Sequence, residues 1–317
     1  MSRKIIKPLV AALGMAFLLS CSGEKKHPAQ AKAVKDTVDL KIGLMPVTDC
    51  LPFYVAGYSR VFEKEGVKVK ITTYRSSLEC GAAIRDAKID GAFLTLPELV
   101  YLDGQGVRLK AVMGTVGKMT VVTSRTKRIR KLSNMKERTI AISRHNTSDY
   151  LLDEIAEITN IKPFYLLRPQ INDIALRESM LSNNQVDAAV LPAPYDDISI
   201  SRGNVKVFST ENSKIKFGSL CFRDTIIKSK ETEVKKLLAS YSKAGDMINK
   251  NRNRADSVLM KIYRFSVQEK DSVKLPKFTQ PKSVAAGDLE KAVSWCMKRK
   301  FVAKRPGSNL VYDKLTK

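Results

Sequence analysis

The sequence predicts an α/β fold of two similar lobes that face each other across a cleft. Three observations lead there. Strands and helices alternate from Asp39 onward, the order that builds parallel strands with helical crossovers. A short pattern then returns: Ile89-Asp90-Gly91-Ala92-Phe93-Leu94-Thr95-Leu96-Pro97 and Val186-Asp187-Ala188-Ala189-Val190-Leu191-Pro192-Ala193-Pro194 share β-branched, Asp, small, Ala and two apolar residues, with a Pro closing each. The offset is 187 − 90 = 97 residues. Finally, Val205–Ser209 and Phe217–Phe222 read as strands able to carry the chain back to the first lobe, and two crossover strands make a hinge.

The opening unit runs from Asp39 to Val100. Leu40–Leu44 alternates apolar and polar residues as a half-buried strand does, and Thr48 or Asp49 can cap the helix that follows. That helix carries Tyr54, Val55, Tyr58, Val61 and Phe62 on one face and stops at Gly66. Val67–Ile71 is the second strand. Arg75-Ser76-Ser77 turns into a helix with Cys80, Ala83, Ile84 and Ala87 on one face. Ile89–Leu94, almost wholly apolar, suits a central parallel strand covered on both sides. Val107–Met113 and Met119–Thr123 are further strands, followed by the basic run Arg125-Thr126-Lys127-Arg128-Ile129-Arg130-Lys131. Thr139–Ile142 starts the pattern again. The polar turn Ser143-Arg144-His145-Asn146-Thr147-Ser148 opens a helix with Leu151, Leu152, Ile155 and Ile158. Phe164–Leu167 is then a strand and Ile174–Leu181 a helix. Glu231–Asn251 is a strong amphipathic helix. Ala255–Phe301 holds two or three more, with Trp295 packing against the first lobe.

The amino terminus is a processing signal rather than part of the fold. Arg3, Lys4 and Lys7 precede an apolar core at Leu9–Leu19, and Leu18-Leu19-Ser20-Cys21 matches a bacterial lipoprotein box in which Cys21 is lipidated. The core is too short for a comfortable span of about 20 residues. The predicted organisation is a signal at 1–20, a tether at 21–38, the first part of lobe 1 at 39–120, lobe 2 at 121–216, and the return of lobe 1 with the carboxyl-terminal helices at 217–317.

The chain has 317 residues and a net charge of +24; removing Arg3, Lys4 and Lys7 leaves +21. No zinc-finger, RNA-recognition or basic-zipper pattern accompanies these charges, so the expectation is a solvated surface facing an anionic bilayer, with no nucleic acid as partner. Four cysteines remain after Cys21: Cys50, Cys80, Cys221 and Cys296. None has C-x-x-C spacing. Cys50 and Cys80 fall at helix starts of the opening unit, and the plainer reading is small half-buried residues of the cleft wall, with a disulfide or a thiol contacting ligand as the alternatives. No metal-ligand spacing is present, and Asp196-Asp197, at i and i+1, cannot face each other for acid–base work.

Collectively, Lys41–Asp49, Pro52–Ala56, Phe62–Val69, Asp90–Phe93 and Val186–Tyr195 resemble the NMT1/THI5-like (SsuA, TauA, nitrate-binding) branch of the periplasmic binding proteins of ABC importers. The likeness runs from about Asp39 to Asn251. It implies a type II periplasmic binding fold and a monomeric, exported, lipid-anchored receptor without cofactor. The partners implied are a small anionic or heteroaromatic nutrient and an ABC permease with its ATPase. The resemblance also implies ligand contacts from the turns after the lobe strands: Thr48, Asp49, Cys50, Phe53, Ser76, Ser77, Thr95, Ser143, Arg144, Asn146, Thr147 and Tyr195. Each Ser, Thr or Asp among them has helix capping as its plainer role. Arg144 and Arg75 are the side chains able to grip an oxyanion bidentately, whereas His145 is read as a solvent-facing or core imidazole, with a pH-dependent or anion contact as the alternative. Asp90 and Asp187 serve the turns before their strands. The alternative is a same-fold enzyme of thiamine-pyrimidine or menaquinone biosynthesis. Against the pyrimidine synthases, this chain lacks their cysteine cluster, and Pro192-Ala193 replaces an aromatic residue that could stack on a ring.

Overall fold

β1 (Leu40–Leu44) lies inside its sheet rather than half-exposed. Only Lys41 reaches solvent, because β2 (Val69–Thr73) and β3 (Gly91–Thr95) flank it and helices cover both faces. The computed structural model describes residues 38–316 except 212, 214 and 308. The expected signal at 1–20, Cys21 and all of the tether but Val38 lie outside the described residues.

In chain order, α1 (Leu51–Tyr58) and α2 (Val61–Lys64) join β1 to β2. Next come α3 (Ser77–Arg85), β3, α4 (Leu96–Gly104) and β4 (Leu109–Thr115). The chain then changes sheet. β5 (Met119–Thr123), β6 (Arg138–Ala141), α5 (Thr147–Thr159), β7 (Leu166–Leu167), α6 (Ile174–Ser182), β8 (Ala188–Pro192), α7 (Tyr195–Ser201) and β9 (Val205–Ser209) follow. It returns through β10 (Gly218–Arg223) and ends in α8 (Asp224–Ser229), α9 (Glu231–Lys250), α10 (Asp256–Lys261), α11 (Val267–Ser272) and α12 (Ala286–Lys298).

Two five-stranded sheets result, ordered β2-β1-β3-β10-β4 and β7-β6-β8-β5-β9. Each has the same plan. Three parallel strands are followed by one antiparallel strand that has just crossed from the other sheet, β10 in the first and β5 in the second. β5 pairs with β8 over its whole length, Met119 with Pro192 through Thr123 with Ala188, so the expected lobe break after residue 120 falls inside a single strand. The recurring Asp has one job in both lobes. Asp90 Oδ2 accepts the Lys41 amide at 2.8 Å, and Asp187 Oδ2 accepts the Thr139 amide at 2.9 Å. Each carboxylate fixes the start of the neighbouring strand.

Further local expectations differ from the structure. The single helix expected through Tyr54–Phe62 is broken between α1 and α2, where Arg60 takes a left-handed φ of 56°. Phe164–Leu167 is not a four-residue strand. Pro163 opens a 3-10 turn over Pro163–Tyr165, since its fixed φ and missing N–H favour a turn start over a ladder, and only Leu166 and Leu167 pair with β6. Trp295 sits on α12, which packs along α4 of the first lobe. Its indole, however, reaches the second lobe: Nε1 donates to Asp153 Oδ2 at 2.7 Å, and the ring meets Tyr150 edge-on at 5.7 Å. Arg168 (2.7 Å) and Arg299 (2.5 Å) join the same carboxylate. Burial alone would raise the Asp153 pKa; these three donors outweigh it and hold the carboxyl below its ordinary value. On the opposite flank α11 packs against α7, and Glu269 pairs with Arg202. The carboxyl-terminal helices thus grip both lobes.

Candidate functional site between the lobes

Parallel strands leave their carboxyl ends at one edge, beside the amino termini of the helices that follow. Here the two sheets turn those edges toward each other. Four helix starts meet there: α3 through Ser77, α4 through Thr95, α5 through Asn146 and α6 through Ile174. Between them lies a cavity with about 30 Å³ of room for the centre of a water-sized sphere. Met45, Phe93, Met119 and Pro192 make its apolar wall. The aligned dipoles of four helix starts favour negative charge.

The dominant charge is Arg177. It stands on α6 among the most deeply buried side chains, 2 % exposed, and reaches the cavity. Among the described residues its side chain makes one hydrogen bond, from Nη1 to the Ile171 carbonyl at 3.1 Å, and Nε has no partner. Burial lowers its pKa to about 10, with Asp173 pulling the other way, so the guanidinium keeps its charge at neutral pH. A buried cation without a paired anion costs several kcal/mol. An anion in the cavity would relieve that cost.

Two other ionisable groups face the space. Lys118, in the first connection between the sheets, pairs with Asp196 at 2.9 Å. Burial works against its ammonium, yet Asp196, with Asp197 and Glu211 behind it, leaves its pKa above the ordinary value. Asp49 Oδ1 accepts the Gly117 amide at 3.1 Å, and burial raises its carboxyl above the usual range. Its side chain is spent on this connection rather than on a cap: the residue before α1 is Cys50, and no side chain caps that helix.

Of the sequence-derived site residues, Asp49, Ser77, Thr95, Ser143 and Asn146 line the cavity. Across it, Asn146 Nδ2 donates to Ser77 Oγ at 3.2 Å, and Ser143 Oγ donates to Asn172 Oδ1 at 3.0 Å. The other candidates stand elsewhere, each for a visible reason. Phe53 belongs to the core under α9, its ring 4.6 Å from Tyr241. Cys50 is fully buried in the same core; Cys50, Cys80, Cys221 and Cys296 are all free and fully buried in core packing rather than half-buried in the cavity wall. Ser76 caps α3 by accepting the Glu79 amide. Thr147 is buried on the first turn of α5, its hydroxyl without a partner among the described residues. Thr48 faces a neighbouring crevice beside the connections. Tyr195 lies on a second crevice against Phe265. Arg144 points to solvent. Arg75 is exposed and pairs with Asp173 across the lobes at 3.3 Å. His145 stacks on Tyr101 of α4 at 4.1 Å, closing the lobes from outside the cavity.

Arg177, Lys118 and Asn172 were not singled out from the sequence. One signal for Arg177 was there: it stands three residues after Ile174 and four before Leu181, on the buried face of its own helix. A cation on an apolar stripe calls for a counter-charge from elsewhere. Lys118 gave none, since a lysine between two strands reads as an ordinary turn residue.

Two α/β lobes of this strand order, joined by paired connections around an interlobe cavity, define the periplasmic binding protein fold. Solved structures with that fold superpose well on this one. The alkanesulfonate-binding protein SsuA from Xanthomonas axonopodis pv. citri, bound to MOPS, matches with a TM-score of 0.74 at 12 % identity, over 86 % of this chain and 97 % of its own. The zinc-bound ligand-binding component of an ABC-type import system from Staphylococcus aureus gives 0.73 at 15 %, over 87 % and 97 %. The periplasmic nitrate-binding protein NrtA from Synechocystis PCC 6803 gives 0.69 at 12 %, over 83 % and 82 %. The chain belongs to the NMT1-like family, whose model matches residues 33–261. No curated protein sequence matches it.

Proposed function

We propose that this chain is the solute-binding lipoprotein of an ABC importer, capturing a small anion between its lobes and delivering it to a membrane permease. The observation that carries the reading is Arg177, a charged and deeply buried guanidinium with one carbonyl partner, at a cavity ringed by four helix starts. The names of two structural neighbours, alkanesulfonate-binding and nitrate-binding, agree with an anionic solute. In the closed arrangement the cavity takes little more than a water or a very small oxyanion, so larger solutes enter with the lobes parted. Release then follows reopening about the two connections between the sheets. Asp49, Ser77, Thr95, Ser143, Asn146, Asn172 and Arg177 are the proposed contacts.

In this reading the chain performs no covalent chemistry. The ionisable groups on the cavity serve charge balance: Arg177 holds the anion, the Lys118–Asp196 pair is self-compensated, and Asp49 binds its proton more tightly as the anion enters. The expected lipid on Cys21 would keep the receptor beside its permease, outside the cytoplasm.

The test is a calorimetric titration of the full chain with nitrate, sulfate, alkanesulfonates, carboxylates and a neutral pyrimidine. At least one anion should bind, and Arg177→Met should abolish that binding. Tight binding of the neutral pyrimidine that survives Arg177→Met would overturn the reading.

A further inference from the structure

The dense basic run is not used by the cavity, yet it is held as a fixed face. Residues 125–138 contain seven Lys or Arg and one acidic residue, Glu137. They connect β5 to β6 at the end of the second sheet away from the cavity, because β6 and β8 run toward the cavity and β5 runs against them. Ile129 (2 % exposed) and Met135 (fully buried) plug the run into the core, and Thr123 Oγ1 donates to the Ile129 carbonyl at 2.8 Å. All seven cations point outward. Lys127 pairs with Asp187, and the Lys136 ammonium lies 4.5 Å over the Tyr165 ring. Arg128, Arg130, Lys131 and Arg138 make no ion pair with the described residues.

Large apolar side chains stand beside these cations. β7 is the edge strand next to β6, with Leu166 opposite Arg138, and the Glu137 amide donates to the Tyr165 carbonyl at 2.7 Å. This brings residues 163–167 alongside the run. There Phe164 is 66 % exposed and Leu167 46 %; Ile158, near the end of the adjoining α5, is 65 % exposed. A purely polyanionic partner would use the cations and gain nothing from three bare apolar side chains. A bilayer uses both: phosphates for the cations, the acyl boundary for Phe164 and its neighbours.

We propose that this pole of the second lobe docks on an anionic phospholipid bilayer, with Phe164 entering the interface and Arg128, Arg130, Lys131 and Arg138 meeting headgroup phosphates. The site is separate from the cavity, and its test is independent of any solute.

The experiment uses the full chain carrying Phe164→Trp, with the parent chain, whose sole tryptophan is the buried Trp295, as background. Vesicles contain brominated lipid in either phosphatidylglycerol or phosphatidylcholine. Because the expected lipid on Cys21 would hold the chain on both vesicles, the readout is indole depth rather than attachment. Quenching and a blue shift of the introduced indole are expected on phosphatidylglycerol. Both should be lost on phosphatidylcholine, in about 0.5 M salt, where the screening length falls to roughly 4 Å, and in the exposed triple variant Arg128→Glu, Arg130→Glu, Lys131→Glu. Unchanged thermal unfolding of that variant shows that the loss is not misfolding. Equal quenching on both vesicles, or none on either, would overturn the proposal, as would protection of residues 125–138 from hydrogen exchange by a soluble polyanion but not by phosphatidylglycerol vesicles.

Discussion

Replacing Arg177 by methionine tests the site most directly, because two opposite effects come from one side chain. The guanidinium is 2 % exposed and, among the described residues, is bonded to the Ile171 carbonyl alone, with no carboxylate within ion-pair reach. In the unliganded protein its burial is mostly unrecovered cost. A methionine of comparable reach should therefore leave stability unchanged or raise it by about 1–4 kcal/mol, the range seen when buried charge yields to apolar packing. With ligand the sign reverses. Removing one partner of a desolvated charge contact costs about 2–5 kcal/mol, roughly 30- to several-thousand-fold in affinity. The parent should gain about 2.7–4.1 kcal/mol at 100–1,000 times its dissociation constant, and Arg177→Met should gain almost none. Thermal unfolding of both proteins, with and without the bound anion, measures all four quantities. Arg177→Lys should recover part of the affinity, since it restores charge without the planar fork. If Arg177→Met unfolds the free protein as a core cavity would, by about 2–5 kcal/mol, and yet keeps the full ligand shift, the guanidinium is a structural strut and the reasoning fails.

Further outcomes follow from the same geometry. Asn146→Ala removes both the cap of α5 and the bond to Ser77 across the cavity; about 1 kcal/mol of stability should go with the cap, and ligand dissociation should quicken in stopped flow. Asp49, raised by burial, binds its proton more tightly folded than unfolded, so its contribution to stability is full below the ordinary carboxylate value and is lost as pH rises through its raised value. Anion affinity should strengthen as pH falls through that window, and Asp49→Asn should flatten the profile in a titration series. The Asp153 carboxyl is depressed, so the opposite holds: its stabilisation is present above the unfolded value and is lost as pH falls through the folded one. Asp153→Asn should remove that acid limb in urea titrations and change the emission of Trp295, whose indole it holds across the lobes. Cys21→Ser should move the protein from the membrane fraction to the soluble one and abolish incorporation of labelled palmitate.

Much of the architecture was legible in the chain because the signals were local. Gly91–Leu94 and Ala188–Leu191 are apolar runs preceded by Asp, and both belong to the central strand of a five-stranded sheet with the Asp fixing its neighbour. The start of α5 was legible for the same reason, since an Asn followed by Thr and Ser before an apolar periodicity writes its own cap. Asp49, Ser77, Thr95, Ser143 and Asn146 could be placed near the cavity because chain order puts strand ends and helix starts at one edge. The local signal also misled where one residue type serves two ends: Phe53 and Cys50 follow the same turn as Asp49, but the first turn of α1 rotates them into the core beneath α9.

Sequence alone therefore determined what repeats along the chain: the order of elements, the doubled lobe, the edge at which polar turns collect, and the basic run between β5 and β6. Only the tertiary structure decided which charges are left without partners. Arg75, at a polar turn, looks available in the sequence and Arg177, on an apolar helix face, does not; folding nevertheless pairs Arg75 with Asp173 at the surface and seals Arg177 against a carbonyl beside the cavity. The reason is physical. Secondary structure follows from residues within a few positions of each other, whereas the cost of a buried charge depends on what the rest of the chain, from either lobe, brings within a few ångströms of it.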